Sequence, residues 1–162
     1  MAEINFSIDR GRFKGLSLTA RKPERLAYFD AHDLTAQERL LYQVWASPSL
    51  KTRVFTGGQL VLSAGEVPHD AFVLISGEVS LQTGNHQYKL GPGSVIGLAQ
   101  GLAHQPLTHD IRANTVTNCK VIPIDAACRE IARINPGLKG LFRLTLGRIL
   151  GEGQPLPDWL TR

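Results

Sequence analysis

The sequence lacks the features that mark membrane, secreted and disulfide-rich proteins. It contains only two cysteines, Cys119 and Cys128, which form neither a metal-type spacing nor a disulfide framework. No apolar run approaches the roughly 20 residues that a membrane helix needs, and the polar, acid-containing start is not a secretory signal. We therefore expect no membrane span, and a reducing cytoplasm is the simplest setting.

The motifs of common enzyme classes are missing as well. The four histidines from His69 to His109 include no His-x-His pair followed by a glutamate, so we predict no metal site. No Walker-type or dinucleotide glycine motif occurs, and no serine lies in a nucleophile-elbow context. The sequence therefore predicts a protein that is not an enzyme and carries no cofactor.

At 162 residues the chain is long enough for one domain with a substantial core, and its formal net charge is only +4. Residues 1–33 show no sustained period and carry a cluster of basic residues, which predicts a leader that lies over the domain or contacts a partner. We place the domain at residues 34–150 and a C-terminal tail at residues 151–162, of which residues 153–162 are expected to be extended.

Stretches with the apolar periodicity of helices lie on both sides of a central region that lacks this periodicity. Thr35 and Glu38 form a capping box, and an apolar face then runs to Pro48, which predicts an N-terminal helix. After Asp125 the apolar period lengthens again and predicts two helices, the first ending before Pro136 and the second near Gly151.

The second C-terminal helix has more apolar positions than one buried face requires. A lid over the domain or a partner subunit would explain the excess. We predict that it forms a dimer interface through four apolar residues: Leu138, Leu141, Phe142 and Ile149.

Between the helical regions the chain consists of short β segments separated by glycines. The segments are Arg53–Phe55, Leu60–Leu62, Ala71–Ile75, Val79–Leu81, Tyr88–Leu90, Ile111–Val116 and Lys120–Ile124, with a hairpin signal at Thr83–Asn85. Many short strands at close spacing indicate a sandwich or barrel rather than βαβ units.

One stretch, Gly91–Ala113, interrupts the strands. Three glycines mark its start, Leu98–Ala103 has the length of one or two helical turns, and Pro106 ends that helix. A helix that begins at a glycine points unpaired backbone N–H groups outward, so the stretch is either an anion seat or a plain crossover loop.

This order of elements resembles the cyclic-nucleotide-binding domain family, which includes the sensor halves of Crp/Fnr-type regulators. The resemblance covers about residues 34–150, and several motifs carry it. They are Phe55-x-x-Gly58, Gly65, the run from Phe72 to Val79, Leu90-x-x-Gly93-x-x-x-Gly97, Ile111-Arg112-Ala113 and Asn135-Pro136. The resemblance implies a mainly β fold, a double-stranded β-helix (jelly roll, cupin-like) with one helix before it and two after it.

In that family the interrupting stretch is the phosphate-binding cassette, Gly-Glu-x-Ala-Leu-Leu followed by Pro-Arg-x-Ala. The glutamate holds the ribose 2′-hydroxyl and the arginine pairs with the cyclic phosphate. Here Gly97 and Pro106 match, but Leu98 stands at the glutamate position, Leu107 at the arginine position and His109 at an alanine position. Arg112 could substitute, although strand alternation relative to Ile111 leaves its direction open.

The sequence therefore predicts a regulatory or sensory module that has lost the usual recognition of cAMP and cGMP and acts through protein–protein contacts. The alternative is a sensor that binds a cyclic nucleotide or another small molecule in a rewired cassette. Seven residues are the candidate ligand site: Gly97, Leu98, Ala99, Leu107, Thr108, His109 and Arg112. We expect a protein partner or a homodimer and, because no helix-turn-helix follows the last helix, no direct DNA binding.

Overall fold

The structure is a computed structural model that describes residues 51–151 and 154–161, together with Val44, Ser47, Ser49 and Leu50. The region Lys51–Arg162 forms one compact unit. The predicted leader lies outside the described residues, as does nearly all of the predicted N-terminal helix, in which Val44 alone is described as helical. The domain bounds 1–33, 34–150 and 151–162 remain predictions.

The compact unit consists of short strands followed by helices. In the described part the strands are β1 (Thr52–Phe55), β2 (Leu60–Leu62), β3 (Asp70–Ser76), β4 (Val79–Thr83), β5 (His86–Leu90), β6 (Val95–Ile96), β7 (Ile111–Ala113) and β8 (Thr117–Pro123). The helices are α1 (Leu98–Ala103), α2 (Ile124–Ala132), α3 (Pro136–Leu150) and α4 (Asp158–Thr161).

The strands form two four-stranded antiparallel sheets, ordered β1-β8-β3-β6 and β2-β7-β4-β5. Apolar residues of both sheets meet in a core that includes Phe55, Phe72, Leu74 and Val79, each at most 1% exposed. Successive side chains of a strand point to opposite faces of the sheet, which gives the second sheet one apolar and one polar face. In β4, Val79 faces this core whereas Ser80 faces the other side. The predicted mainly β jelly-roll architecture is confirmed.

The observed strands and turns agree closely with those predicted from the sequence, with two exceptions. The predicted hairpin is present, since Gly84 and Asn85 form a two-residue turn between the paired residues Thr83 and His86. The prediction missed β6, which has only two residues. It also placed the end of β7 at Val116 and the start of β8 at Lys120, because Asn114–Val116 has apolar and β-branched residues although its backbone bends.

The helices form a second apolar cluster beside the sheets. Leu102 of α1, Ile131 of α2, Leu146 of α3 and Leu160 of α4 are buried in it. The start of α3 is fixed by the Asn135 side chain, which accepts a hydrogen bond from the Gly137 N–H at 2.7 Å.

The prediction of an extended tail is wrong at its end. Asp158–Thr161 forms the helical turn α4, and Leu160 is 1% exposed. Burial of Leu160 and partial burial of Trp159 in the helical cluster stabilise a turn that the two prolines, Pro155 and Pro157, did not suggest from the sequence.

Candidate functional site: the cassette cavity

The cassette begins at Gly97, which joins β6 to α1. Its φ of 79° lies in the left-handed region, and a Cβ atom there would come within 2.9 Å of Leu62 Cδ1. Only glycine fits both constraints. The Gly97 carbonyl accepts the first helical hydrogen bond of α1, from the Gly101 N–H at 2.9 Å. The predicted helix Leu98–Ala103 is confirmed over its full length.

The end of α1 turns the chain back toward the sheet. His104 adopts a φ of 53°, and the Gln105 N–H donates to the Gln100 carbonyl at 2.9 Å, which closes the helix. His104 is exposed and does not line the cavity described below. This histidine therefore serves as a helix cap in the structure.

Leu107 follows and is anchored through its backbone. Its N–H donates to the Glu66 carbonyl at 3.0 Å and its carbonyl accepts from the Gly65 N–H at 2.8 Å. Its side chain is 7% exposed and belongs to the core between the sheets. The position that aligns with the family's arginine thus presents an isobutyl group.

A cavity of about 310 Å³, hereafter the cassette cavity, lies beside this segment. Six of the seven predicted site residues line it: Gly97, Leu98, Ala99, Leu107, Thr108 and His109. Strand residues Leu81, Leu90 and Ile111 form another part of the wall. The structure therefore brings the cassette positions together around one volume, which is of the size at which small-molecule pockets begin.

Helix α3 forms a further wall of the cassette cavity. It contributes Phe142, Thr145, Leu146 and Ile149. Its wide apolar surface is thus partly explained by contact with the cavity, which agrees with the lid interpretation. Phe142, predicted as an interface residue, is half-buried against the helical cluster, whereas Leu138, Leu141 and Ile149 are 55–60% exposed.

The polar side chains that line the cassette cavity are Gln100, Thr108, His109 and Thr145. Thr108 Oγ1 and His109 Nδ1 form a 2.7 Å hydrogen bond whose donor depends on the histidine tautomer. Thr145 Oγ1 donates to the Leu141 carbonyl at 3.0 Å, which occupies its proton within α3. Among the described residues that line the cavity there is no arginine, lysine, aspartate or glutamate.

Arg112 lies apart from the other six predicted residues. It alternates with the buried residues Ile111 and Ala113 on β7, so its side chain leaves the opposite face of the sheet. There Arg112 Nη2 donates to Asp110 Oδ2 at 2.9 Å. Asp110 Oδ1 also accepts from the Ala64 N–H at 2.9 Å, and this bond, followed by the arginine, lowers the pKa of Asp110.

The outer face around Arg112 forms a polar groove that was not among the sites predicted from the sequence. The groove has a volume of about 450 Å³ and is lined by Gly58, Ser80, Gln82, Gln87, Asp110, Arg112, Ala113 and Asn114. Ser80 Oγ donates to Asn114 Oδ1 at 2.7 Å and accepts from Gln87 Nε2 at 3.0 Å. The alternation in Val79–Thr83 and Ile111–Ala113 carries the signal, since each second residue is polar.

Glu78 closes this outer network. Asn114 Nδ2 donates to Glu78 Oε1 at 2.7 Å, and Lys89 Nζ lies 3.3 Å from the same oxygen. The hydrogen bond from Asn114, followed by Lys89, lowers the pKa of Glu78. The polar side chains on this face therefore satisfy one another.

The two cysteines are poor nucleophiles in this fold. Burial raises the pKa of Cys119 to about 11, and the pKa of Cys128 is also raised, first by burial and then by Asp125. Both are thiols near neutral pH. In the described part of the chain no three His, Cys, Asp or Glu residues cluster as metal ligands, and no helix there is long and apolar enough to cross a membrane.

Solved structures share this fold at low sequence identity. The EAL enzyme Bd1971 in its cAMP-bound form has a TM-score of 0.54 at 16% identity, covering 61% of this chain and 28% of that one. The Thermus thermophilus catabolite activator protein has a TM-score of 0.51 at 19% identity, covering 86% of this chain and 57% of that one. At these identities the likeness establishes the fold alone.

Sequence comparisons agree with the fold. Glutaminase 2 of Bradyrhizobium diazoefficiens is 33% identical over 87 residues, which is 52% of this chain but only 14% of that protein, so the match concerns one segment of it. The family model for the cyclic nucleotide-binding domain matches residues 52–133, just over half of the chain. The chain belongs to the cyclic nucleotide-binding domain family.

Proposed function

We propose that this chain is a non-enzymatic regulatory module whose cassette no longer recognises cAMP or cGMP in the usual way and whose output is a protein–protein contact. The observation that carries the proposal is the cassette cavity, whose described lining has no arginine, lysine, aspartate or glutamate. Leu98 and Leu107 stand there in place of the two polar groups that a cyclic nucleotide uses in the family.

The expected loss of affinity is large. A hydrogen bond to a charged group contributes about 1.5–3 kcal/mol, and an arginine–phosphate contact is of this kind. Each 1.4 kcal/mol changes a dissociation constant about tenfold, so two lost contacts amount to roughly 10²–10⁴-fold. The phosphate would also lose its hydration against the buried side chain of Leu107 without a compensating partner.

The proposed output surface is the exposed side of α3. Leu138, Leu141 and Leu144 are 55–68% exposed, although all three are large aliphatic residues, and Ile149, which also lines the cassette cavity, is 59% exposed. Such a row on a helix is typical of a surface that another protein chain covers. A partner on this surface would add to the apolar contacts that Phe142 and Leu146 of the same helix make with the helical cluster.

Calorimetric titration tests the loss of cyclic-nucleotide recognition. With cAMP or cGMP at up to about 100 µM we expect no binding heat. Leu107→Arg serves as the comparison variant, since its guanidinium would meet the phosphate, and we expect it to bind at least about tenfold better. Leu98→Glu, at a half-buried position, is a second variant if the buried arginine prevents folding. A micromolar dissociation constant for the unmodified protein would contradict the proposal.

Light scattering and co-purification test the output surface. The protein is expected to form a dimer or to retain a partner, and Leu141→Arg is expected to abolish that association. Val116→Arg places the same charge on an exposed residue outside the helix and is the control. A monomer that retains no partner at all would remove this half of the proposal.

A retained small-molecule sensor is the second candidate. It is favoured by the persistence of a cavity of about 310 Å³ with the Thr108–His109 pair at its wall. Ligand-induced thermal stabilisation distinguishes the candidates, because a ligand that binds the folded state raises the unfolding temperature and a pure contact module has no such ligand.

A further inference from the structure

We propose that the cassette cavity binds an uncharged, largely apolar small molecule that carries one hydrogen-bonding group. The inference rests on the proposed loss of phosphate recognition, and it names the class of ligand that the remaining cavity fits. The proposed ligand would occupy the same cavity, but it would be uncharged and largely apolar, whereas a cyclic nucleotide carries a charged phosphate.

Two separate elements contribute apolar residues to the walls of the cavity. Leu81 and Leu90 extend from the second sheet, whereas Phe142 and Leu146 face the cavity from α3. A molecule in the cavity would contact aliphatic and aromatic carbon from both elements. Removing its apolar surface from water would be the main source of affinity.

The charge distribution favours an uncharged ligand over an ionic one. Within the described lining, no side chain carries a permanent charge, and His109 is the only titratable group. Arg112 is held on the other face of the sheet by Asp110, at 2.9 Å. A phosphate, a carboxylate or an ammonium group would therefore lose its hydration without an arginine, lysine, aspartate or glutamate side chain of the lining to pair with, at an energetic cost.

The Thr108–His109 pair provides the point of orientation. Thr108 Oγ1 is bonded to His109 Nδ1 at 2.7 Å, and a hydroxyl oxygen retains acceptor capacity after making one such bond. A single hydroxyl or N–H group on the ligand can donate to this oxygen while the rest of the molecule contacts carbon. Because Gln100 and Thr145 are the other polar side chains of the lining and the rest is apolar, the cavity matches an apolar body that carries a hydrogen-bonding group.

A fluorescence titration tests the proposal with N-phenyl-1-naphthylamine, an uncharged apolar dye with one N–H group. We expect saturable binding at one dye per chain, with a blue-shifted and brighter emission and a dissociation constant of about 1–10 µM. An uncharged alcohol, 1-decanol, is expected to displace the dye, and decanoate, which has the same chain length but a charge, is not. Equal displacement by decanoate would overturn the assignment to uncharged ligands.

A matched pair of valines locates the binding site. Val95 lines the cassette cavity and is 48% exposed, whereas Val116 lies outside it and is 61% exposed. Val95→Glu introduces a carboxylate at the cavity and is expected to weaken dye binding about tenfold or more. Val116→Glu is expected to leave it within about twofold, and circular dichroism checks that both variants are folded.

The outcomes separate this inference from the proposed function. If cAMP binds at micromolar concentration, the proposed function fails. If neither cAMP nor the dye binds, the proposed function stands and the apolar-ligand inference fails. If the two valine variants weaken the dye equally, the dye binds elsewhere on the surface, and the inference fails as well.

Discussion

The two faces of the sheet β2-β7-β4-β5 differ sharply in polarity, as two neighbouring residues of β7 show. Ile111 faces the cassette cavity and is 5% exposed, whereas the next residue, Arg112, lies on the outer face in an ion pair with Asp110. The inner face therefore has carbon and no charge, and the outer face has paired charges and satisfied amides. The only arginine near the cassette in sequence is on the wrong side of the sheet to serve it.

Under the proposed function, this difference explains how the backbone of a cassette persists without its phosphate chemistry. Gly97 and α1 are held by steric and packing constraints, namely a left-handed φ and the burial of Leu102. The recognition of phosphate depends instead on single side chains that the fold does not require. Leucine at position 107 even adds to the core between the sheets.

The largest expected contrast between the two faces is in stability. Ile111→Ala removes buried carbon from the core and is expected to lower the free energy of unfolding by about 2–4 kcal/mol. Arg112→Ala breaks an ion pair between side chains that are about half exposed and is expected to leave stability close to that of the unmodified protein. Urea denaturation at pH 7 measures both.

A similar loss for the two adjacent substitutions would contradict the assignment of opposite faces. The slope of unfolding free energy against urea serves as the control, because an unchanged slope shows that the two variants unfold from comparable states.

The second contrast is in ligand binding. Thr108→Val removes the hydroxyl from the cavity wall at nearly constant volume and is expected to weaken the uncharged dye about 3–10-fold, the equivalent of one net hydrogen bond. Arg112→Ala is expected to leave dye binding unchanged, because Arg112 does not line the cavity. Loss of binding in Arg112→Ala and not in Thr108→Val would mean that the outer groove is the ligand site.

Much of this arrangement could be predicted from the sequence because it depends on local signals. The glycine turns, Pro106 and the alternation of Ile111, Arg112 and Ala113 fixed the strands and α1. The resemblance to the family located the cassette, and six of its seven candidate residues come together around one cavity.

The remaining features depend on contacts between distant segments. The direction of Arg112 was left open because alternation requires a reference residue whose burial only the packed sheets define. Helix α4 was missed because a four-residue turn is stabilised by the burial of Leu160 against helices that precede it. The Ser80–Asn114 bond of the outer groove joins residues 34 positions apart, and no local pattern specifies it.

The smallest expected contrast is a pH dependence on the outer face. The pKa of Asp110 is lowered in the fold, so its contribution to stability is present above the ordinary carboxyl pKa near 4 and is lost as the pH falls through the lower, folded value. We therefore expect Asp110→Asn to unfold at a lower temperature than the unmodified protein at pH 6–7. The gap should narrow as the pH is lowered below about 4.

The same experiment ranks the two causes of that shift. The hydrogen bond from the Ala64 N–H is the largest single cause of the lowered pKa of Asp110, and Arg112 adds both a hydrogen bond and its charge. Arg112→Ala should therefore keep part of the pH-dependent gap relative to Asp110→Asn, since the backbone bond remains. If Arg112→Ala unfolds at the same temperature as Asp110→Asn at every pH, the ion pair is the dominant cause of the lowered pKa of Asp110. In that case the charge of Arg112 stabilises the outer face.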